Sequence, residues 1–485
     1  MGGKHKREKE FDPVTCVLPV GLPCLKERAE AEGLSIHRLK ILLHQIYYVW
    51  IFDELNDEKR EEPFHKDGWV TLSSKRLQVL CTPLYRDYEK FLEKNNVIEI
   101  KYNQIGKKSY IDGVRCTPYR ISPRLLKPKN GSRFKHEKIT DHKTLKSINN
   151  DQERFEKGQY SNEFNSLIPF CSIHYKMEEM LSSFYIDTNS LSKFISKTES
   201  GQIILKRESI IGVIDAEMAA YLINDNSIPK PIVCFFGERF HSIFSRLPRE
   251  YRYFLRIKNV NEPLCSVDIS NCQPYIVAVI LSFPEEVKKV LPEFEYILDK
   301  IKEIPKIKLR LFLEYCVNGE IYEYWQDERG LEERDEAKLE IIKRVLFDSP
   351  LYRQKKYKKI RELFEQRFSD VWEGLLTMKS ITATELPLLK SICINDKGNY
   401  SEKELHKTIS CMCQRFESRL LTGMIVPALI NKDVGPFLTV HDSVILPESK
   451  SIFAKQIFID CFKRLGVKSP TVKIESYGAI PDEWL

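Results

Sequence analysis

Two segments of the chain each place one aspartate inside an apolar run: Cys265-Ser266-Val267-Asp268-Ile269-Ser270-Asn271-Cys272-Gln273-Pro274-Tyr275-Ile276 and Phe437-Leu438-Thr439-Val440-His441-Asp442-Ser443-Val444-Ile445-Leu446. Short apolar runs of this kind are typical of buried strands. An aspartate at the end or turn of a buried strand is costly to ionise unless a cation lies beside it. Asp268 and Asp442 therefore indicate a site that holds cations.

The first aspartate is predicted to end a strand. Val267 and Ile269 flank it, and the apolar run 276–281 that follows predicts a helix directly after the strand. Pro274 fits the first turn of that helix. Asp268 would then lie at a strand end, where a site can open. The alternative is a turn in which the aspartate only caps the helix.

The second aspartate is predicted to lie at the tip of a hairpin. The apolar strands 437–440 and 444–446 flank it, so a two-residue tip would project both His441 and Asp442. The alternatives are a plain turn without a ligand and a half-buried histidine with only a packing role.

A helix with a cationic face is predicted between the two aspartates, over residues 334–347. Arg334 and Lys338 are four residues apart and lie on one face. Ile342 and Leu346 continue the same stripe, which suits a triphosphate followed by a base. Together with the two aspartates, this face indicates metal-dependent phosphoryl or nucleotidyl transfer. The alternative is a solvated charged face with glutamate partners.

The order of these elements resembles the polymerase core of family A DNA polymerases, which is related to the single-subunit RNA polymerases. The resemblance covers about residues 236–485. The matching positions are Asp268, Ser270 and Gln273 in motif A, Arg334 and Lys338 in motif B, His441-Asp442-Ser443 in motif C, Gln414-Arg415-Phe416-Glu417 in the helix before motif C, and Gly237-Glu238-Arg239 in a segment that touches the duplex.

The resemblance implies a role for each of these positions. Two Mg²⁺ ions, with Mn²⁺ as the substitute, would be held by Asp268, Asp442 and the Ile269 carbonyl. The catalytic residues would be Asp268, Asp442 and Lys338; the nucleotide-binding residues Arg334, Lys338, Gln273 and Ile342; and the nucleic-acid-binding residues Arg239, Gln414, Glu417 and His441.

The function implied by the resemblance is template-directed DNA synthesis on a primer-template with nucleoside triphosphates. No proofreading constellation is evident, so the chain would be an exonuclease-less enzyme of a phage or mobile-element type. Gln273 replaces a family glutamate that helps to exclude the ribose 2′-hydroxyl, which favours an RNA polymerase or primase-like enzyme as the alternative. A further alternative is a replication initiator or DNA-binding protein with an inactive polymerase-like domain.

The predicted fold class is a multidomain α+β protein with the palm, fingers and thumb of a right-hand polymerase. We expect a winged-helix-like module in residues 1–128, a basic linker in 129–160, a thumb-like or connecting region in 161–235, and palm and fingers in 236–485. The predicted elements are helices 27–54, 75–80, 85–95 and 177–184, a strand at 68–74, and a hairpin of strands 97–102 and 109–114 with the basic tip 106–108.

The amino-acid composition excludes few classes of protein, and it agrees with the predicted fold and function. Lys and Arg total 76 against 69 Asp and Glu, a net charge of +7 that weakly favours a polyanion partner. The 13 cysteines show no disulfide framework or zinc-site spacing. An apolar signal core and an 18-residue apolar stretch are both lacking. We expect a cytoplasmic protein without a membrane partner, whose N-terminal module binds nucleic acid or a protein partner.

Overall fold

The computed structural model describes residues 14–53, 69–72, 74–81, 84–102, 117–126, 134–156, 168–191, 193, 220, 223–224, 231–247, 249–348, 357–394 and 399–480. They form a helix-rich α+β protein with several small sheets, as the coarse fold class predicts. Within this part of the chain, no helix is long and apolar enough to cross a membrane.

From residue 36 to residue 100 the elements follow the predicted order of helix, strand, two helices and strand, and the next described strand, Pro118–Ile121, was not predicted. The helices are Ile36–Asp53, Ser74–Cys81 and Tyr85–Lys94, and the strands are Val70–Thr71, Ile98–Ile100 and Pro118–Ile121. The last strand lies in the middle of a three-stranded antiparallel sheet. The predicted tip 106–108 and strand 109–114 lie outside the described residues.

The predicted helix 27–54 is two helices, and this part of the prediction was wrong. Lys26–Ala31 ends before Gly33, whose φ of +70° lies in the left-handed region that glycine adopts without strain. A second helix, Ile36–Asp53, then begins. Leu39, Leu42 and Ile46 are buried along the second helix, as their helical spacing predicts.

The predicted linker 129–160 contains two regular elements, so this prediction was also wrong. The strand Phe134–Ile139 pairs antiparallel with Val14–Pro19 over the full length of both. The helix His142–Glu156 follows, and its N-terminus is capped by Asp141, which accepts hydrogen bonds from the Thr144 backbone N–H at 2.8 Å and hydroxyl at 2.6 Å.

Less of the region 161–235 is described. The helix Ser172–Leu181 ends three residues before the predicted end, and the strand Phe184–Ile186 follows it. That strand pairs with Leu255–Ile257, and Ile232–Val233 pairs with Phe240–His241. The strands thus join this region to the segment just before the first aspartate.

A four-stranded antiparallel sheet, the central sheet, carries both aspartate segments. Its strands in spatial order are Leu438–Val440, Ser443–Pro447, Leu264–Ile269 and Val472–Ser476. Asp268 lies opposite Ser443 on one side and Lys473 on the other. This register puts the end of the first aspartate strand beside the hairpin tip.

Helices cover the central sheet and extend from it. The helix Cys272–Ser282 is apolar all round and buried along nearly its whole length, which places it in the core. The other helices of this half are Pro284–Val290, Glu295–Lys302, Ile307–Asn318, Ile321–Arg329, Arg334–Leu339, Lys358–Arg367, Ser369–Ser380, Leu389–Ile392, Lys407–Leu420, Val426–Asn431 and Ser451–Leu465, with short 3₁₀ turns at Phe244–Arg246, Arg249–Phe254, Pro292–Phe294, Glu402–Glu404 and Glu448–Lys450.

The cationic helix predicted over 334–347 changes its winding halfway. It is α-helical over Arg334–Leu339 and π-helical over Glu340–Leu346. The predicted stripe therefore does not continue: Ile342 is half-buried, whereas Leu346 is fully buried in the core. The buried ammonium of Lys379 donates to the Val345 carbonyl at 3.0 Å and so satisfies one carbonyl at the end of the π-helical turn.

Lys379 provides a test of this packing. Burial, which outweighs the opposing effect of Asp348, lowers the pKa of Lys379 to about 7. Between that pH and the pKa of about 10.4 in an unfolded chain, only the unfolded state binds the proton, so stability gains about 1.4 kcal/mol per pH unit from this group. Lys379→Met should remove that slope when urea-unfolding free energies are compared across this range. The exposed Lys343→Met is the matched control, and an unchanged slope in Lys379→Met would contradict the burial of a neutral amine.

Candidate active site

Asp268 lies near the C-terminal end of the strand Leu264–Ile269, as predicted, and is half-buried. Its Oδ1 atom is buried and accepts no hydrogen bond. Burial raises the pKa of Asp268 to about 6, against the lowering effects of the Ile269 backbone and of the nearby Arg252 and Lys338 charges. The carboxylate thus has an oxygen whose partner is missing from the protein itself.

Asp442 lies at the tip of a two-residue hairpin between Leu438–Val440 and Ser443–Pro447, so the predicted hairpin is confirmed. Burial and the negative charge of Asp268 raise the pKa of Asp442 to about 7. The neighbouring Cys272 side chain lowers the pKa of Asp442 and so opposes the shift. The charges of the two carboxylates therefore influence each other, as a shared cation site requires.

His441 takes the left-handed backbone conformation at this tip, with φ of +52°. Two-residue hairpins need such a residue because the turn must match the twist of the strands. Loss of hydration of the imidazole, together with the positive charges of Arg239 and Arg252, lowers the pKa of His441 to about 4. The imidazole is therefore neutral at physiological pH, although its edge is exposed.

The donor set at this tip fits a hard divalent cation with few protein ligands. Mg²⁺ prefers one or two carboxylates and takes its other ligands from water and phosphate oxygens. Asp268 and Asp442 supply the carboxylates, and the unpartnered Oδ1 of Asp268 is a buried acceptor that a cation would satisfy. No cluster of three or more His, Cys, Asp or Glu side chains suited to a metal occurs among the residues that the structure describes.

The raised pKa values give a stability test for this site. Above about pH 7 both carboxylates are ionised in the folded and in the unfolded chain, but only the folded chain bears the free-energy cost of holding the two charges in a buried site. Without divalent cations, Asp442→Asn should therefore raise the unfolding free energy at about pH 8 by roughly 1–3 kcal/mol. Millimolar Mn²⁺ should raise the Tm of the unaltered protein and of the exposed control Asp460→Asn, but not that of Asp442→Asn. A Tm increase of equal size in Asp442→Asn would exclude this carboxylate as a ligand.

The two cations of the predicted helix differ in their contacts near the carboxylates. Lys338 is exposed, and its charge reaches Asp268. Arg334 is already engaged: its guanidinium donates to Glu323 Oε1 at 2.5 Å and to Asn271 Oδ1 at 3.2 Å. It also lies 5.0 Å from the centre of the Tyr322 ring. The structure thus brings Lys338 to the carboxylates and joins Arg334 to the residue just after the first aspartate strand.

The predicted nucleic-acid contacts Arg239 and Glu417 are bonded to each other. The Nε and one terminal nitrogen of Arg239 each donate to one oxygen of Glu417 at 2.9 Å. Gln273, predicted to contact the nucleotide, donates to Glu417 Oε2 at 2.6 Å. Gln414 donates to Ser410 at 3.2 Å. We name Arg239, Gln273 and Glu417 the carboxylate clamp.

Neighbouring contacts fix the clamp in place. An added Cβ at Gly237 would lie 2.4 Å from Gln414 Oε1, so only glycine allows this close approach of backbone and helix. Further along the same helix, Arg419 donates to both Glu238 oxygens at 2.7 and 2.6 Å and to both Glu293 oxygens at 2.9 and 2.7 Å. These contacts hold the Arg239 segment against the helix Lys407–Leu420.

Three residues of the site were missed from the sequence. Arg252 favours the ionised form of Asp268, and its Nε is buried without a hydrogen-bond acceptor. Asn271 Oδ1 accepts a hydrogen bond from Arg334, and the Cys272 thiol lies 3.9 Å from Glu417 Oε2. The cluster of arginines among tyrosines at 249–256 was the available signal for Arg252. Asn271 and Cys272 are ordinary residues of an apolar run and carry no such signal.

Comparisons with known proteins add little to these observations. No protein-family model and no curated protein matches the chain. A solved structure described as the POL domain of Pol1 from M. smegmatis, in complex with DNA primer-template and dNTP, is similar with 11% identity and a TM-score of 0.35. The alignment covers 70% of this chain and 75% of that one. A likeness of this degree does not establish a common fold.

Proposed function

We propose that the protein is a template-directed nucleotidyltransferase, a DNA polymerase that adds nucleotides to a primer 3′-hydroxyl. The observation that carries the proposal is the pair Asp268 and Asp442, which interact electrostatically, one with a buried oxygen that lacks a partner, within reach of the Lys338 charge. A metal-binding carboxylate pair and a cationic helix are the parts that positioning and charge stabilisation in phosphoryl transfer require.

The two carboxylates and the Ile269 carbonyl would hold two Mg²⁺ ions, with Mn²⁺ as a substitute. When bound, such ions supply Lewis acidity to an attacking hydroxyl and to a pyrophosphate leaving group. Asp268 would supply its carboxylate from the strand Leu264–Ile269, and Asp442 would supply its own from the adjoining hairpin tip. Lys338 attracts the triphosphate and is the proton donor to the leaving pyrophosphate. Arg334 reaches a phosphate by exchanging its contact with Glu323, an exposed pair that is worth little by itself.

The remaining elements support a polymerase-like arrangement of the chain. In the proposal, the central sheet is the palm, the helices between residues 284 and 392 belong to the fingers, and the region 161–235 is thumb-like. His441 and Gln414 face the primer-template, and Ile342 faces the base. The helix, strand and sheet order within residues 14–126 supports a winged-helix-like module, which would bind nucleic acid or a protein partner.

Ribonucleotide polymerisation is a second candidate, and one observation favours it. Position 273 carries an amide rather than a carboxylate, and that amide is engaged by Glu417. Primer extension with deoxynucleotides and with ribonucleotides, with and without a primer, separates a DNA polymerase from an RNA polymerase or primase-like enzyme. An inactive initiator or DNA-binding protein would incorporate neither.

Substitution of either aspartate tests the proposal directly. Asp268→Ala and Asp442→Ala should each lower Mg²⁺-dependent primer extension by about a thousandfold or more, since each removes charge stabilisation from the transition state. Binding of the primer-template, measured by fluorescence anisotropy, should change little. The exposed Asp460→Ala is the control and should extend normally. Undiminished extension by either site variant would refute the assignment.

Lys338 has a separate expectation, because its role is to hold the nucleotide. Lys338→Ala should lower kcat/KM for the nucleoside triphosphate by roughly a hundredfold, the loss expected for a charged contact in a partly desolvated site. Lys343→Ala removes an exposed lysine from the same helix and should leave kcat/KM unchanged. Equal kcat/KM values for Lys338→Ala and the unaltered enzyme at limiting nucleotide would remove Lys338 from the site.

A further inference from the structure

The buried ion pair between Arg239 and Glu417 lies beside a half-buried carboxylate that it does not contact through hydrogen bonds. The pair is bidentate, with both N–O distances at 2.9 Å. Only 2% of the Glu417 side chain is exposed and 18% of the Arg239 side chain. A planar guanidinium bound through two parallel hydrogen bonds has a fixed orientation. Arg239 is therefore held in one direction, toward Glu417.

Glu417 has more donors than this pair requires. Besides Arg239, its Oε2 atom accepts from Gln273 at 2.6 Å and from the Cys272 thiol at 3.9 Å. Both donors belong to the start of the helix Cys272–Ser282, directly after the first aspartate strand. A buried carboxylate with several donors stays where those donors hold it. The position of Glu417 is thus fixed by the same segment that carries Asp268.

Asp442 competes with Glu417 for the same cation. The Arg239 charge attracts both carboxylates, whereas the Cys272 thiol lies 3.9 Å from Glu417 Oε2. One guanidinium thus stands near one buried and one half-buried carboxylate. A guanidinium that turned to Asp442 would neutralise it and occupy oxygens that a metal ion needs. The hydrogen bonds in the structure all favour Glu417.

We propose that Glu417 is a positioning residue that holds the Arg239 guanidinium away from Asp442, so that Asp442 remains available to a divalent cation. The inference rests on the metal site of the proposed function. It also explains the amide at position 273. A glutamate there would set a second carboxylate 2.6 Å from Glu417 Oε2, in place of a donor that helps to fix it.

Direct binding of Mn²⁺ to the protein, without nucleotide or nucleic acid, tests the inference. The bound ion is counted by electron paramagnetic resonance. Glu417→Gln should weaken Mn²⁺ binding by about tenfold or more, a typical loss when a residue that supports metal ligands is changed. The double variant Arg239→Gln, Glu417→Gln should return to near the affinity of the unaltered protein, because no guanidinium then competes for Asp442. Equal affinity in Glu417→Gln, or a double variant as weak as Glu417→Gln, would overturn the proposal.

Three further variants keep the test decisive. Glu402→Gln changes an exposed glutamate outside the clamp and should bind Mn²⁺ normally. If Glu417→Gln does not fold, Gln273→Leu replaces it: the loss of this donor loosens Glu417 while the Arg239 ion pair remains, so the Mn²⁺ affinity should fall by about two- to fivefold, and an unchanged affinity would overturn the proposal. Asp442→Asn must abolish the bound signal. Normal Mn²⁺ results with no primer extension would refute the polymerase assignment and leave this inference standing.

Discussion

The repulsion between Asp268 and Asp442 is the constraint around which the second half of the chain is arranged. Two carboxylates close together in a partly buried site repel each other more strongly than in water, because the effective dielectric constant there is lower. The fold nevertheless puts Asp268 near the end of one strand and Asp442 at the adjoining hairpin tip, with Asp268 opposite Ser443, the residue that follows Asp442. Burial raises the pKa of each. A cation bound between the two carboxylates would offset this cost.

Positively charged side chains of the protein itself partly offset this repulsion, and each of them stays at a distance from the two aspartates. Lys338 and Arg252 favour ionised Asp268 by charge alone, and Arg239 is bound to Glu417. Had any of them formed a close ion pair with an aspartate, the site would be neutral and closed to a metal ion. Charges that are near but bound elsewhere leave the two carboxylates ionisable and open. In the proposed function, this division of partners leaves both carboxylates available to a divalent cation.

Local sequence patterns predicted the elements that carry the two aspartates. The apolar runs around Asp268 and on either side of His441-Asp442 predicted a strand, a helix and a hairpin, and the structure contains all three. These local patterns did not predict which distant segments of the chain pair with each other. The segment that forms the strand Phe134–Ile139 was predicted to be a basic linker, because its partner strand, Val14–Pro19, is far away in the sequence. The π-helical turn likewise depends on Lys379, which lies on another helix.

The same limit applies to the site. Arg239 and Glu417 are 178 residues apart, and nothing in either neighbourhood indicates that they form one ion pair. Sequence reasoning therefore treated both as surface contacts for nucleic acid. The most direct measurement of the central claim is anomalous diffraction from crystals grown with Mn²⁺ and a non-hydrolysable nucleoside triphosphate. The account predicts manganese density between Asp268 and Asp442 with the triphosphate toward Lys338; manganese absent from this pair while the nucleotide is bound elsewhere would contradict it.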